Sequence, residues 1–265
     1  MADLSYVEEN NLIAEMEDNR ISVTSQVAEE RNKHQKNALY YGLPATIFLS
    51  CVYPAGAALW VIFFLFFLVY SFTVGSSRVS AAEAGDAILR HGATGELAVL
   101  ETLKDLDNEY VILNQVLLPD SRTSTGYREI DYVVCGPNGI WVLEAKSYKG
   151  HLTGNEYDNM WTLHKVGRCG TAYTSECRNP AKQVKTYIHL LSEALKAKGE
   201  RAWLNGIVVL ARDNDLSDIN VQSCGIVQVS DLVGYLRRFE GKRVNNPKKV
   251  ATAVKAISSS VNRTI

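Results

Sequence analysis

Two short segments in the middle of the chain alternate between apolar and polar positions, and they predict a β-hairpin. The alternation has the period of two that is typical of strands, and its apolar members are Ile130, Tyr132, Val134, Trp141, Leu143 and Ala145. Residues 136–139, Gly-Pro-Asn-Gly, have good turn chemistry between the two segments. A turn symmetric about Pro137 and Asn138 pairs residues whose numbers sum to 275, and a bulge would shift this register.

This register places charged side chains together on one face of the hairpin. Asp131 then lies opposite Glu144, and Glu129 lies opposite Lys146. Two carboxylates opposite each other on a sheet repel unless a positive charge lies between them, and Mg²⁺ or Mn²⁺ would supply that charge. Lys146 could then hold an attacking water or balance charge on a phosphate. The alternative is a solvated strand face with a Glu129–Lys146 salt bridge.

The hydrophobic pattern elsewhere predicts an α/β fold with a mixed central sheet flanked by helices. The spacing of Glu96, Val99 and Leu103 indicates one face of a helix near Gly95–Asp105. Asn179 and Pro180 read as the N-cap and first residue of a second helix that ends near Lys198. The remaining predicted elements are strands at Tyr110–Leu117, Ile207–Leu210 and Ile226–Val229, an extended region at Thr153–Lys165 with Trp161, and a helix at Asp231–Phe239.

The amino-terminal third contains a long apolar stretch. Residues 37–77 hold no charged residue, and the 18 residues from Ala57 to Val74 are long enough, together with their flanks, to cross a bilayer. A weaker apolar run at Ala38–Tyr53 allows a helical hairpin, which we favour over a single span. Basic residues before and after residues 37–77 agree with both ends being cytoplasmic.

The distribution of charge indicates how the rest of the chain is divided into segments, and the cysteines indicate its cellular compartment. The chain has 265 residues. Residues 1–36 carry eight acidic and four basic residues, which indicates an acidic arm. Residues 241–265 carry six basic and no acidic residues, which indicates a basic tail. The five cysteines are scattered without paired spacing, which fits a reducing compartment. The predicted division is therefore an arm at 1–36, a membrane segment at 37–77, a catalytic domain at 78–240 and a tail at 241–265.

The hairpin and several motifs around it resemble the nuclease-related domain, a branch of the restriction-endonuclease-like superfamily. The resemblance covers about residues 92–239 and rests on motifs in matching order: Gly-Ala-Thr-Gly-Glu at 92–96, Glu-Ile-Asp-Tyr-Val-Val at 129–134, Asn-Gly-Ile-Trp-Val-Leu-Glu-Ala-Lys at 138–146, Lys149-Gly150, Trp161, and Asn-Pro-Ala-Lys-Gln at 179–183. It implies that Asp131 and Glu144 bind the metal and that Lys146 acts in catalysis. Glu96 and Gln183 become supporting site residues. Read alone, Glu96 could equally favour the positive start of its helix, and Gln183 could be a surface glutamine.

The expected function is therefore a membrane-anchored, Mg²⁺- or Mn²⁺-dependent endonuclease-like phosphodiesterase, with DNA as the expected nucleic acid and the catalytic domain in the cytoplasm. The alternative is a non-catalytic, membrane-tethered module that binds nucleic acid or protein with the same fold. An intact set of Asp131, Glu144 and Lys146 argues against that alternative. The sequence leaves open RNA as substrate, endo or exo cleavage, and whether the chain forms a homo-oligomer.

Overall fold

The computed structural model describes residues 1–7, 92, 94–167 and 170–261, together with scattered positions between residues 18 and 66. The chain divides into two compact units, one made of Met1–Glu9 with Gly92–Ile265 and the other of Asn10–His91. Within the described positions, no helix is long and apolar enough to span a membrane. The apolar stretch at 57–74 lies outside them except for Ile62 and Phe66, which are helical and 62% and 70% exposed.

The larger unit is built on a six-stranded mixed sheet, as the sequence predicted in outline. Its strands lie in the order β1-β2-β3-β4-β8-β10. β2, β3 and β4 are antiparallel, whereas β1 joins β2 and β8 joins β4 and β10 in parallel. The bounds are β1 Asp3–Tyr6, β2 Val111–Pro119, β3 Tyr127–Gly136, β4 Gly139–Lys146, β8 Leu204–Leu210 and β10 Gly225–Gln228.

The predicted hairpin register is confirmed through the β3–β4 ladder. The paired residues run from Gly136 with Gly139 to Tyr132 with Leu143, and their numbers sum to 275 throughout. The backbone pairing ends at Tyr132 and Leu143. Beyond it, Asp131 Oδ2 accepts a hydrogen bond of 2.7 Å from the backbone N–H of Ala145. The two strands therefore stay together as far as the charged residues.

A second, four-stranded sheet was not predicted from the sequence. It has the order β7-β6-β5-β9, with bounds β5 His151–Asn155, β6 Met160–Val166, β7 Ala172–Arg178 and β9 Ile219–Asn220. Its inner face buries Leu152, Trp161 and Leu163 against Ala181. Trp161 Nε1 donates to the carbonyl oxygen of Asn155 at 3.0 Å.

Four helices of the described residues flank the sheets: residues 94–103 (α1), Pro180–Ala197 (α2), Leu232–Arg238 (α3) and Pro247–Ser258 (α4). Helices α2 and α4 contact each other and pack on one face of the main sheet. Their buried side chains include Tyr187 and Leu191 from α2 and Val250 and Val254 from α4, which meet the apolar residues of β2, β3 and β4.

Both ends of the chain contribute to this unit in ways that the sequence pattern did not indicate. Residues 3–6 belong to the span read as an acidic arm, yet they form edge strand β1 beside β2. Residues 247–258 belong to the span read as a basic tail, yet α4 buries Val250, Ala251, Val254 and Ile257 in the main core. Lys248 on α4 forms an ion pair with Asp3 at 3.2 Å, which ties the two ends to each other.

Candidate active site

The end of β4 carries two charged residues that point to the same side of the strand. Glu144 and Lys146 are two positions apart and therefore share a face. Lys146 Nζ donates to Glu144 Oε1 in a close ion pair, in which the Glu144 side chain is 2% exposed and that of Lys146 is 25% exposed. The ion pair of Lys146 is thus with Glu144 and not with Glu129. An ion pair this deep needs further partners to offset the loss of hydration.

Asp131 faces Glu144 from β3. It keeps a small opening to solvent, and protein surrounds its carboxyl group on the remaining sides. Burial raises the pKa of Asp131 well above its usual range, and the charge of Glu144 raises it further. Lys146 and the N–H of Ala145 act in the opposite direction. Burial and like charge thus both oppose ionisation of Asp131 beside Glu144, and additional positive charge at the site would favour it.

Glu96 reaches the site from the start of α1. Gly95 makes this approach possible, because a Cβ atom there would lie 2.9 Å from Ser147 Cβ and 3.3 Å from Ala211 Cβ. Tyr132 on β3 then donates from its hydroxyl to the backbone oxygen of Glu96 at 2.9 Å. Burial raises the pKa of Glu144, and the charge of Glu96 raises it further, which indicates that the two carboxylates are near neighbours.

Gln183 reaches the site from the first turns of α2, whose start is fixed by Asn179. The Asn179 side-chain oxygen caps the helix by accepting from the N–H groups of Ala181 and Lys182, and its Nδ2 donates to backbone oxygens of the turn between β5 and β6. The predicted N-cap and the proline at the first helical position are therefore confirmed. Gln183 lies half-buried beside Glu144, where its side chain offsets part of the rise that burial causes in the pKa of Glu144.

The structure thus brings all five of the sequence-derived site residues together, from β3, β4, α1 and α2. Burial raises the pKa of Glu144, and Lys146 limits that rise. Burial alone would lower the pKa of Lys146, but the charge of Glu144 outweighs it and the net shift is upward. Lys146 is therefore a cation at neutral pH, and the site holds three acidic side chains for one fixed positive charge.

One oxygen of Glu144 fits a metal ligand. Glu144 Oε2 is buried and makes no hydrogen bond within the described part of the chain, although a buried unpaired carboxylate oxygen is costly. Among the same residues, no group of three or more His, Cys, Asp or Glu is arranged to hold a metal. Mg²⁺ needs no such group, because one or two carboxylates with water and phosphate oxygens complete its shell. The donor set of Asp131 and Glu144 suits that ion.

Two tyrosines extend the site beyond the residues found from the sequence. Gln183 Nε2 donates to the hydroxyl of Tyr187 at 2.7 Å, and burial and the charge of Glu144 raise the pKa of Tyr187. The spacing of four between Gln183 and Tyr187 on a helix is the signal that could have identified the pair. Tyr132 gave no such signal, because its partner is a backbone oxygen 36 positions away.

Comparison with known proteins agrees with these motifs. Residues 91–211 match the family model of the nuclease-related domain, which confirms the resemblance read from the sequence. Over 105 residues the chain is 28% identical to an uncharacterised protein of Bacillus anthracis, and the match covers 39% of this chain and 48% of that protein. The chain thus matches about half the length of this relative. No solved structure matches the chain.

Proposed function

We propose that this chain is a metal-dependent nuclease that hydrolyses phosphodiester bonds, with DNA as the expected substrate. The nuclease-related domain at residues 91–211 supports a nuclease-related function in general. The observation that carries the specific proposal is the buried, unpaired Oε2 of Glu144 beside a second crowded carboxylate, Asp131. A pair of this kind is unfavourable for a purely structural site and suitable for holding a divalent cation.

Each of the five site residues has a role in this proposal. Asp131 and Glu144 would hold Mg²⁺ or Mn²⁺, which when bound supplies an activated water and positive charge at the phosphate. Lys146 stays protonated and balances the negative charge that builds up on the phosphate oxygens. Glu96 and Gln183 act through Glu144 and are positioning residues, because both lie beside its carboxylate.

The direct test is cleavage by the full chain, purified in a mild detergent. The full chain is required because β1, at residues 3–6, pairs with β2. A fragment that begins near residue 79 would lack β1. Circular and linear DNA and an RNA of the same sequence should be incubated with Mg²⁺, with Mn²⁺ and with excess chelator. We expect cleavage with metal and none with chelator.

Variants of the two carboxylates distinguish cleavage by this site from cleavage by a contaminating nuclease. Asp131→Ala and Glu144→Ala should each reduce cleavage by at least about 100-fold, because each removes a metal ligand. Glu101→Gln is the matched control, since Glu101 lies on the same helix as Glu96 but its side chain is 63% exposed and paired with Lys104. Cleavage that continues undiminished in both alanine variants and in chelator would defeat the proposal.

We also propose that residues 57–74 anchor the chain in a membrane, with the nuclease-related domain on the cytoplasmic side. The uncharged sequence supports this, as do the exposed helical side chains of Ile62 and Phe66, which lie four positions apart and thus on one helical face. Cell fractionation and protease treatment of intact cells test it. Recovery of the full chain in the soluble fraction would refute the anchor, and digestion from outside would refute the orientation.

A further inference from the structure

A groove on the small sheet includes Lys149, which lies three residues beyond Lys146 of the candidate active site. It has a volume of about 770 Å³ and is lined by side chains from the loop after β4 and from β6 and β7, among them Lys149, His164, Lys165 and Tyr173. Lys149 and Gly150 were singled out by the sequence motif, and the proposed chemistry assigns them no role. We call this surface the lysine–tyrosine groove and define it by Lys149, Lys165 and Tyr173.

The register of β6 and β7 places Lys165 and Tyr173 on the sheet face that packs against the start of α2. Lys165 lies opposite Tyr173, and Trp161 lies opposite Cys177 on the same face of the sheet. Burial raises the pKa of Cys177, and the charges of Lys146 and Lys165 oppose that rise. Cys177 therefore lies between the groove and the site, near enough to Lys165 and to Lys146 for both charges to act on its thiol.

The loop after β4 brings the second lysine of the groove close to the site. Lys149 is only three residues beyond Lys146, and Gly150 follows with φ of +116°, a conformation that favours glycine. A Cβ atom on Gly150 would lie 2.2 Å from the carbonyl oxygen of His164. Asn214 Nδ2 donates to the backbone oxygen of Gly150 at 2.6 Å. This packing holds Lys149 at the mouth of the groove.

The two lysines of the groove stand outside the ion pairs of the described residues, although two aspartates lie beside its wall at His151. Within the described residues, neither Lys149 nor Lys165 has a carboxylate within the 4.0 Å of an ion pair. The nearby carboxylates of Asp215 and Asp218 both lie against His151. Glu176 alternates with Cys177 on β7 and so lies on the opposite face from Lys165 and Tyr173, which it shares with the groove residues His164 and Thr174.

Tyr173 adds an aromatic surface to this charge. Its side chain is 51% exposed although it lies on the same face as the buried Trp161 and Leu163. Lysines that meet a phosphate backbone, next to an exposed ring on which a base can stack, are the combination that binds unpaired nucleic acid. A duplex would satisfy the lysines but not the ring, because its bases are already stacked on each other.

We propose that the lysine–tyrosine groove binds a single strand of nucleic acid, DNA or RNA, and leads it to Lys146. Lys149 and Lys165 contact two phosphates, and the ring of Tyr173 stacks on a base. This inference rests on the proposed nuclease function, because the strand bound in the groove would continue into the site that cleaves it. Its contacts can be measured without cleavage.

The experiment measures binding of the full chain to labelled oligonucleotides of about 12 nucleotides by fluorescence anisotropy in excess chelator. Single-stranded DNA, single-stranded RNA and the DNA duplex are compared. Wild type should bind the single strands more tightly than the duplex. Lys149→Gln with Lys165→Gln should weaken single-strand binding by about 10-fold and make the slope of log affinity against log salt shallower by about 1.4, or ~0.7 for each phosphate contact.

The tyrosine is tested separately from the charge. Tyr173→Ala should weaken binding by about 10-fold through lost stacking without changing the salt slope, and Tyr173→Phe should stay within about twofold of wild type because it keeps the ring. Tyr157→Ala is the control for a lost exposed ring, since Tyr157 is 84% exposed and does not line the groove. Lys198→Gln with Arg201→Gln, exposed near the start of β8, is the control for lost charge.

Three results would overturn the inference. They are no measurable binding by wild type, equal affinity of the groove variants and their controls, and tighter binding of the duplex that Tyr173→Ala leaves unchanged. The proposed nuclease can fail independently. A chain that binds single strands through these residues but cleaves nothing with Mg²⁺ or Mn²⁺ refutes the nuclease and keeps the groove, whereas cleavage with unaltered binding in the variants refutes only the groove.

Discussion

Glu144 and Lys146 form a hydrogen-bonded ion pair at the end of β4, and this pair uses only one of the two Glu144 carboxylate oxygens. The other oxygen is buried without a partner among the described residues, while Asp131 lies close enough for Glu144 to raise its pKa. One lysine therefore neutralises only part of the charge at the site. The imbalance should make the stability of the protein depend on divalent cations and on pH.

A bound divalent cation should stabilise the folded protein, because it relieves the repulsion between Asp131 and Glu144 and binds the folded state only. At a concentration 100 times the dissociation constant, the gain is about 2.7 kcal/mol, which is several degrees in a thermal melt. Glu144→Gln should lose most of this gain, and Glu101→Gln should keep it. If wild type and Glu144→Gln gain equally from Mg²⁺ or Mn²⁺, the ion does not bind at these carboxylates.

The metal-free protein should lose stability as pH rises above about 4. Asp131 and Glu144 both have raised pKa values in the folded state, so between the unfolded and folded values the folded chain binds more protons than the unfolded chain. The free energy of unfolding therefore falls as pH rises through that window. Chemical denaturation in chelator at several pH values measures the slope.

Asp131→Asn should flatten this pH dependence, because the amide cannot ionise and still has an oxygen to accept from the N–H of Ala145. Asp105→Asn is the control, since Asp105 is exposed at the end of α1. A variant in which the slope is the same as in wild type would show that Asp131 ionises without cost in the folded protein and that the crowding argument is wrong.

The sequence predicted the centre of the site well because the relevant information is local. The alternation about the turn at 136–139 was enough to predict the β3–β4 register, and Asn179 with Pro180 was enough to predict the start of α2. The convergence of Glu96 and Gln183 on Glu144 depended on the family resemblance, because helices far apart in sequence approach each other only through tertiary packing.

The parts that the sequence did not predict depend on distant contacts or on weak local patterns. Strand β1 has four residues and pairs with β2 more than 100 positions away, so its own sequence carries little strand signal. Strand β7, Ala-Tyr-Thr-Ser-Glu-Cys-Arg, has few apolar residues because much of its surface is exposed. In α4 the buried Val250, Val254 and Ile257 do have helical spacing, but the basic residues among them led to the interpretation of a tail.

Tyr187 should influence catalysis through Gln183. Tyr187→Phe removes the hydroxyl that accepts from Gln183 Nε2 at 2.7 Å, which should cost about 1 kcal/mol of stability and leave the glutamine free to turn away from Glu144. We expect kcat for cleavage to fall several-fold while KM for the nucleic acid is unchanged, because Gln183 acts on Glu144 and not on the bound strand. Tyr157→Phe, at an exposed position, should change neither constant. If Tyr187→Phe loses stability but keeps a normal kcat, the hydrogen bond between Gln183 and Tyr187 stabilises the fold and does not affect catalysis.

The two glycines of the Gly-Ala-Thr-Gly-Glu motif should respond in opposite directions to alanine. Gly95→Ala places a Cβ atom 2.9 Å from Ser147 Cβ, so α1 must move away from the end of β4 at a cost of about 1–3 kcal/mol, and Glu96 moves with it. Gly92 is helical and exposed, with nothing within 4 Å of an added Cβ, so Gly92→Ala should stabilise the fold by about 0.5–1 kcal/mol and leave cleavage unchanged. Denaturation midpoints and cleavage rates of the two variants, measured side by side, check both effects. Equal stability of the two would mean that α1 does not pack against Ser147 as closely as the structure shows.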